Sequence, residues 1–479
     1  MSTGIKGGLF WSFGERIVAQ LVSTVVSVIL ARLLSPEHYG VISIVMVFIA
    51  LCDIFTNSGM GRSIVRKKNA DDLDYNTAFV IGLALSAVLY AIVYLGAPFI
   101  ANFYEMPELT IVLRVMGVRL PIGAMNTLQH ARVQREMRFR SYFLSTLFGT
   151  VLSGVIGIGM AYAGFGIWAL VGQYLSSSII NTLVLLFTDR WFPKVQFSIA
   201  RAKEIFSFGW KVLATDLVFT LQTDIRSLII GKVFGSADLA YFDQGKKYPK
   251  LLVDNVNKAI NTVMLPAFSK VQDNHEELKR MLRKAVTTGI YVLTPILLGM
   301  AAVSDSFVAV VLTDKWMACS PYIKVFCLMF LTRPLETSCH QALLALGESG
   351  RVLKIMIIIN IVGLLGVLVA SFVFHSVFLI AISTLISTFV SVICFMYSIS
   401  KRISYRWMEQ LHDILPSILV GTVMYVGVSL LQKLTLAPII MLCIQVVAGM
   451  AIYVACSIAF RIEAFNNVLA MVKGLAKRR

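Results

Sequence analysis

Charge is scarce in this 479-residue chain. Asp, Glu, Lys and Arg make up 14% of it, against about 25% in soluble globular proteins. Hydrophobic residues reach 57%, mean hydropathy is +0.79, and no long polar stretch interrupts the apolar blocks. An ordinary soluble domain is excluded. The seven cysteines (Cys52, Cys319, Cys327, Cys339, Cys394, Cys443 and Cys456) contain no CxxC pair, and the six histidines no HxxxH pair. The cysteines read as small hydrophobes in or beside apolar blocks, and no metal or other cofactor is expected. Only Lys6 precedes the first apolar block, and no small-residue cleavage site follows it. That block is expected to be an uncleaved span.

What is present is a succession of apolar blocks long enough to cross a bilayer. They fall near 8–33, 39–59, 77–100, 109–130, 141–163, 166–188, 206–232, 238–264, 285–304, 320–345, 352–373, 376–398, 413–432 and 437–460. The fold class is therefore an all-α polytopic membrane protein of about fourteen helices. The net charge of +17 comes from short basic clusters between blocks, so nucleic acid is not an expected partner.

Those clusters alternate in side. One set of hairpin loops carries only Arg32, Lys232, Lys315 and Lys433 at or near its turns. The other set carries Arg62, Arg66, Lys67 and Lys68, then Arg132, Arg135, Arg138 and Arg140, and further groups at 190–203, 270–284, 351–354 and 401–406. By the positive-inside rule the second set, with both termini, faces the cytoplasm. Parity also argues that 238–264 crosses the membrane, because otherwise every later basic loop would lie outside.

That conclusion makes "YFDQGKKYPKLLVDNVNKAI" (Tyr241 to Ile260) unusual. On a helix of 3.6 residues per turn, Asp243, Lys246, Lys247, Lys250, Asp254, Asn257, Lys258 and Asn261 fall in a stripe about 120° wide. Leu252, Val253, Val256, Ala259 and Ile260 cover the other side. A charge at the bilayer centre costs roughly 2.5–3.5 kcal/mol, so six facing lipid would cost on the order of 15–20 kcal/mol. Flanking aliphatics return only about 0.3–0.6 kcal/mol each. The stripe is expected to face protein or a hydrated cavity; the alternative is an amphipathic helix on the membrane surface.

Other spans repeat the pattern. The first aligns Arg16, Gln20, Ser23 and Ser27, with Glu15 adjacent. The fourth aligns Arg119, Asn126 and His130. The seventh aligns Lys211, Thr215, Gln222 and Arg226, with Asp216 and Asp224 elsewhere on it. The tenth carries Arg333, Glu336, His340 and Gln341. Together these stripes predict a central cavity with excess positive charge. Any one of these residues can equally serve an ion pair or snorkel to a helix end.

An internal repeat is visible. "ILARLLSPEHYGVI" (29–42) parallels "IIGKVFGSADLAYF" (229–242), "WSFG" (11–14) parallels "FSFG" (206–209), and "RLP" (119–121) echoes "RP" (333–334). Both copies start on the basic side, which predicts parallel repeats about an axis normal to the membrane. The expected organisation is a lobe over 1–195 (spans 1–6), a second over 196–400 (spans 7–12), and spans 13–14 with a basic tail over 401–479. Pro121, Pro249, Pro266, Pro295, Pro334 and Pro416 mark possible bends.

The segments "GLFWSFGERIVAQLVSTVVSVILARLLSPEHYG", "NTAFV", "APFIANFYEMPEL" and "LAYFDQGKKYPKLLVDNVNKAINTVMLPAFSKVQ" resemble the polysaccharide-transport, Wzx-type branch of the multidrug/oligosaccharidyl-lipid/polysaccharide flippase superfamily. The resemblance covers nearly the whole chain. It implies a two-lobed fourteen-helix transporter in the bacterial inner membrane. Such a transporter flips polyprenyl-diphosphate-linked oligosaccharide for O-antigen, capsule or exopolysaccharide assembly, with glycan polymerase machinery as a further candidate partner. An anionic, hydrated head group needs cations in place of water, which suits lysine. The substrate-binding candidates are Lys246, Lys247, Lys250 and Lys258, then Arg16, Lys211, Arg226, Arg119 and Arg333. Gln20, Asn257, Asn261 and Gln222 are the sugar-facing candidates. The superfamily is often described as proton- or sodium-coupled, which makes Glu15, Asp216, Asp224 and Glu336 candidate coupling carboxylates. Three rivals fit less well. A drug antiporter of the same superfamily would want an acidic or aromatic pocket. A glycan polymerase or glycosyltransferase would need large loops, and the longest outer loop is only "SDSFVAVVLTDKWMAC". A structural scaffold would have no use for a charged cavity.

Overall fold

The computed structural model describes residues 2–57, 60–67, 70–189, 191–432, 434 and 436–476. Every regular element among them is helical. The chain divides into two compact units, residues 1–240 and 241–479.

Unit 1 contains α1 (Ser2–Leu33), α2 (Pro36–Asn57), α3 (Met60–Arg66), α4 (Asp72–Tyr104), α5 (Glu108–Gly117), α6 (Arg119–Arg135), α7 (Phe139–Tyr162), α8 (Ile167–Asp189) and α9 (Ile199–Val233). Helix α7 packs between α1 and α8, and α2 packs on α5, α6 and α9. α10 (Ser236–Ser269) runs from the end of unit 1 into unit 2. Unit 2 adds α11 (His275–Ala302), α12 (Ser304–Phe307), α13 (Ser320–Leu331), α14 (Arg333–Ala345), α15 (Ser349–Phe372), α16 (Val377–Ile403), α17 (Trp407–Leu431), α18 (Pro438–Ala459) and α19 (Glu463–Ala476). Its core gathers Leu282, Val286 and Ile290 of α11, Leu335 and Leu343 of α14, and Phe395 and Ile399 of α16.

Among the described residues nine helices are long and apolar enough to cross a membrane. They are α2 with α3 beyond it, α4, α7, α8, α11, α15, α16, α17 and α18. The other expected spans coincide with α1, α5–α6, α9, α10 and α13–α14, which are the stretches carrying the polar stripes. The multi-pass helical fold matches expectation. Its helix count rests partly on segments whose composition alone does not mark them as spans.

Two expected spans are broken in the middle. α5 ends at Gly117, and α6 starts at Arg119 with Pro121 in its first turn. α13 ends at Leu331, and α14 starts at Arg333 with Pro334 behind it. Proline has no N–H to give a preceding turn, so it is tolerated at a helix start and disfavours continuation from upstream. The two echoes seen in sequence are thus two helix restarts, each led by an arginine. Elsewhere the helices continue through Pro249, Pro266, Pro295 and Pro416.

The segment after α11, read as a loop, is compact structure instead. It holds α12, a π turn (Val308–Leu312) and a 3-10 turn (Asp314–Cys319), with Leu312, Trp316 and Cys319 buried. Its apolar residues can leave water only by packing inward, and they do.

The segments that carry the family resemblance have structural tasks. Asn76 and Thr77 of "NTAFV" are buried and hold the linker before α9. Asn76 accepts the Lys194 N–H at 2.9 Å and donates to Gln196 at 3.1 Å, while Thr77 accepts the Ser198 N–H at 3.3 Å. In "FYEMPE", the Tyr104 hydroxyl donates to the Leu228 carbonyl at 3.3 Å, and Glu105 meets Lys232 at 2.7 Å. The two copies of the repeated turn also touch. A Cβ on Gly40 would run into the Ser236 backbone, and one on Gly231 into Ile44.

Candidate functional site

Helix α10 positions the charged stripe by its opposite face. Phe242 lies edge-on to Phe326 at 5.2 Å and to Tyr322 at 6.0 Å. Gly245 lets α10 approach α13 so closely that a Cβ there would strike Tyr322. Phe242, Gly245 and Tyr248 are buried; Gly245 and Tyr248 lie opposite the lysines in helical phase, while Phe242, one turn before Lys246, borders the stripe. Packing on the far side of the helix thus agrees with the phase expected from sequence.

Lys246, Lys247 and Asp243 are half-buried. Lys250 is 51% exposed and forms a one-turn ion pair with Asp254 at 2.5 Å. Asn257 lies 3.5 Å from the Thr337 hydroxyl of α14. At the start of α14, Arg333 pairs with Glu336 one turn on at 3.3 Å, its guanidinium 5.7 Å from the Phe330 ring. Glu336 itself is buried. Lysine ammonium, arginine fork, amide and hydroxyl thus stand on α10 and α14 of one unit. They can offer donors to phosphate or sugar oxygens once their local carboxylate partners are exchanged.

In unit 1 the arrangement differs. Arg119, at the start of α6, reaches Asp53 of α2 at 4.0 Å. Asn126 donates to Asn181 at 3.0 Å and to Thr182 at 3.2 Å on α8, and His130 lies edge-on to Tyr142 at 4.8 Å. The α6 stripe therefore turns partly into its helix neighbours. Asp216 pairs with Arg62 at 3.2 Å, and Asp224 and Arg226 are half-buried on α9. Gln20 is exposed on α1. The side chains of Glu15, Arg16, Lys211, Gln222, Lys258 and Asn261 lie outside the described residues.

Asp53 was not among the sequence candidates. It is a carboxylate set in the apolar run "IALCDIF", and an added Cβ on Gly123 of α6 would sit 3.6 Å from its oxygen. A single acid in an otherwise apolar span is the available signal, and it is a fainter one than a row of polar residues on one helix face.

Several of the basic loop residues used for orientation are paired. Buried Asp74 takes Lys67 at 2.8 Å and Arg201 at 3.2 Å. Buried Asp189 takes Arg138 at 2.6 Å and Arg132 at 3.5 Å. No group of His, Cys, Asp or Glu able to hold a metal occurs among the described residues.

Fold and composition together define a polytopic helical membrane protein. Over 95% of this chain and 98% of its own, the lipid II flippase MurJ in an inward closed conformation superposes with a TM-score of 0.76 at 14% identity. A multidrug resistance MATE family transporter of the MOP superfamily, inward-facing, gives 0.62 at 18% identity, covering 80% and 94% of the two chains. These likenesses establish the fold. The chain belongs to the polysaccharide biosynthesis protein family, whose model matches residues 29–321. It is 24% identical over 71% of its length to the lipopolysaccharide biosynthesis protein WzxC of Escherichia coli, covering 69% of that protein. It is 22% identical over 72% of its length to the teichuronic acid biosynthesis protein TuaB of Bacillus subtilis, again covering 72% of the relative. The Wzx-type resemblance stated from sequence is borne out.

Proposed function

We propose that this protein is a lipid-linked oligosaccharide flippase of the bacterial inner membrane, moving polyprenyl-diphosphate-linked glycan units for O-antigen, capsule or exopolysaccharide assembly. The observation that carries the reading is the lysine stripe of α10, held by packing of its opposite face and too costly to leave in lipid. The family membership and the printed roles of its relatives agree with it. So does the likeness to a flippase fold.

In this reading fourteen helices form two pseudo-symmetric six-helix lobes, over 1–195 and 196–400, and two extra helices with a tail over 401–479. Both termini are cytoplasmic. Lys246, Lys247, Lys250 and Lys258 take the diphosphate, with Arg16, Arg119, Lys211, Arg226 and Arg333 supplementing charge along the path. Gln20, Gln222, Asn257 and Asn261 address sugar hydroxyls. The lobes alternate access around the site, the prenyl tail stays in lipid, and no covalent chemistry takes place. Glu336, Asp216, Asp224 and Glu15 are the coupling candidates, and Asp53 joins them. A polymerase accepting the product is a further partner. Helix ends offering aromatic or acidic pockets to a drug cation would favour the antiporter alternative, and the cationic stripe points away from it.

The deciding experiment measures the leaflet location of lipid-linked oligosaccharide in cells with and without the protein. Cytoplasmic-face accumulation without it, cleared on restoration, is expected. Clearance at the wild-type rate by a Lys246→Ala/Lys247→Ala/Lys250→Ala variant present at normal levels would remove the stripe from the mechanism.

A further inference from the structure

Unit 2 contains a second cationic feature that shares no residue with the α10 stripe. Where α11 and α17 begin and α18 gives way to α19, side chains line a partly open pocket of about 390 Å³. Arg280, Arg283 and Lys284 of α11 line it together with Arg461 from the turn before α19. The facing acids are Asp413 of α17 and Glu463 of α19, and His412 completes the titratable lining. Asp413 is already engaged, receiving Arg283 at 2.6 Å and the Tyr405 hydroxyl at 2.6 Å. Arg280 leans to Glu277 at 2.7 Å. Among the described residues Lys284 and Arg461 form no ion pair. Two cations without an ion pair thus stand in this pocket with Glu463, whose charge also acts on Arg283. The first residues of α19 also line the space, so the positive end of that helix adds to the same field.

The surroundings say where an anion would come from. Phe460 lines the cavity and is 70% exposed, and Trp407, the first residue of α17, is 55% exposed. Large aromatics open to the outside at the ends of apolar helices mark the headgroup level of a bilayer. After Phe460 the chain turns into α19, "EAFNNVLAMVKGLA", which packs on α11 and leads into a basic tail. A largely apolar helix that carries Lys473 in its last turn and runs into basic residues suits a position in the membrane surface.

We propose that this cavity binds the phosphate of an anionic lipid headgroup, supplied by bilayer phospholipid, between Lys284, Arg461 and the start of α19. A lipid diphosphate offers the same chemistry from a different source, and the test separates the two. The full-length protein is purified and its retained lipid counted by native mass spectrometry. The additions are phosphatidylglycerol, phosphatidylcholine, geranylgeranyl diphosphate or inorganic phosphate. Wild-type protein is expected to retain phosphatidylglycerol over phosphatidylcholine. A Lys284→Gln/Arg461→Gln variant should retain roughly tenfold less, as for the loss of one charge-assisted hydrogen bond. The charge-preserving Lys284→Arg/Arg461→Lys variant is expected to retain it, and Arg461→Gln alone gives the reading if the double variant does not fold. Equal retention by the neutralised variant, or equal retention of phosphatidylcholine, overturns the site. Preferential displacement of phosphatidylglycerol by geranylgeranyl diphosphate overturns phospholipid as the source. Displacement by inorganic phosphate at the same concentration overturns the lipid requirement.

Discussion

In α15 the residues open to the outside are Leu353, Ile357, Ile361 and Leu365, whereas in α10 they include Lys250 and Asp254. Both helices run for at least six turns. The first can face hydrocarbon anywhere along its length, and its burial need satisfy only packing. The second can be in a membrane only if its stripe meets protein or water. The same division separates the nine apolar helices from α1, α5–α6, α9, α10 and α13–α14. It teaches that the less convincing spans, by composition, are the ones that need protein or water on one face to sit in a membrane at all.

A substitution that gives α15 the character of α10 should have the largest effect. Ile361→Lys puts a charge in the middle of an outward apolar face, at a cost of about 2.5–3.5 kcal/mol. Asn257→Lys adds the same charge within the stripe and should cost less than about 1 kcal/mol. Thermal unfolding of the two purified variants in one detergent measures the gap. Equal losses would mean that the stripe is no more hydrated than a lipid-facing surface.

A second contrast lies within the polar-striped group. Arg119 finds its carboxylate on another helix, at Asp53, while Arg333 finds Glu336 on its own. Asp53→Asn leaves the Arg119 guanidinium without its charged acceptor and should cost about 2 kcal/mol. Asp53→Glu should recover most of it, and transport assayed on both tells a structural pair from a coupling group. Loss of transport in Asp53→Asn at unchanged stability would make Asp53 the coupling carboxylate.

Charge at a helix end, outside the membrane, gives a smaller effect. Asp71 caps α4, accepting the Asp74 N–H at 2.9 Å, while Asp74 accepts the Asp71 N–H at 3.1 Å. Asp71→Ala should cost about 1 kcal/mol. The Asp74 N–H holds the Asp71 carboxyl below its ordinary range. The cap is therefore fully present above the ordinary carboxylate range and is lost as pH falls through the lowered value. An acid titration of stability in wild type and Asp71→Ala should converge only there. Of similar size, Arg333→Gln breaks a pair within one turn whose arginine is 43% exposed but whose Glu336 is buried, and should cost about 1 kcal/mol.

Much of this was readable beforehand because the bilayer is a severe solvent. Each apolar run of span length has essentially one stable form, a helix, so the all-helical, multi-pass character followed from hydropathy. Helical phase alone placed Lys246, Lys247 and Lys250 on one face, and Gly245 and Tyr248 do pack on the other. The echo of "RLP" in "RP" pointed to two corresponding places, and both are helix restarts, because proline acts on the local backbone.

What the chain could not announce depends on partners distant in sequence. Phase shows that Arg119 faces inward, but only folding brings Asp53 to it, and only folding spends Asn126 on α8. The basic clusters could be read for an expected sidedness, yet their engagement with Asp74 and Asp189 required α3, α4, α8 and α9 to converge. The apolar segment after α11 reads as a loop in sequence, and only packing buries its Trp316. Likewise α19 reads as a tail, and only folding makes its first residues close a cavity with α11 and α17. Hydropathy and periodicity are properties of one segment at a time, and they set which helices form and which face is polar. Charge pairing and cavities are properties of several segments at once, so the tertiary structure alone decided which cations find an ion-pair partner and which line a pocket.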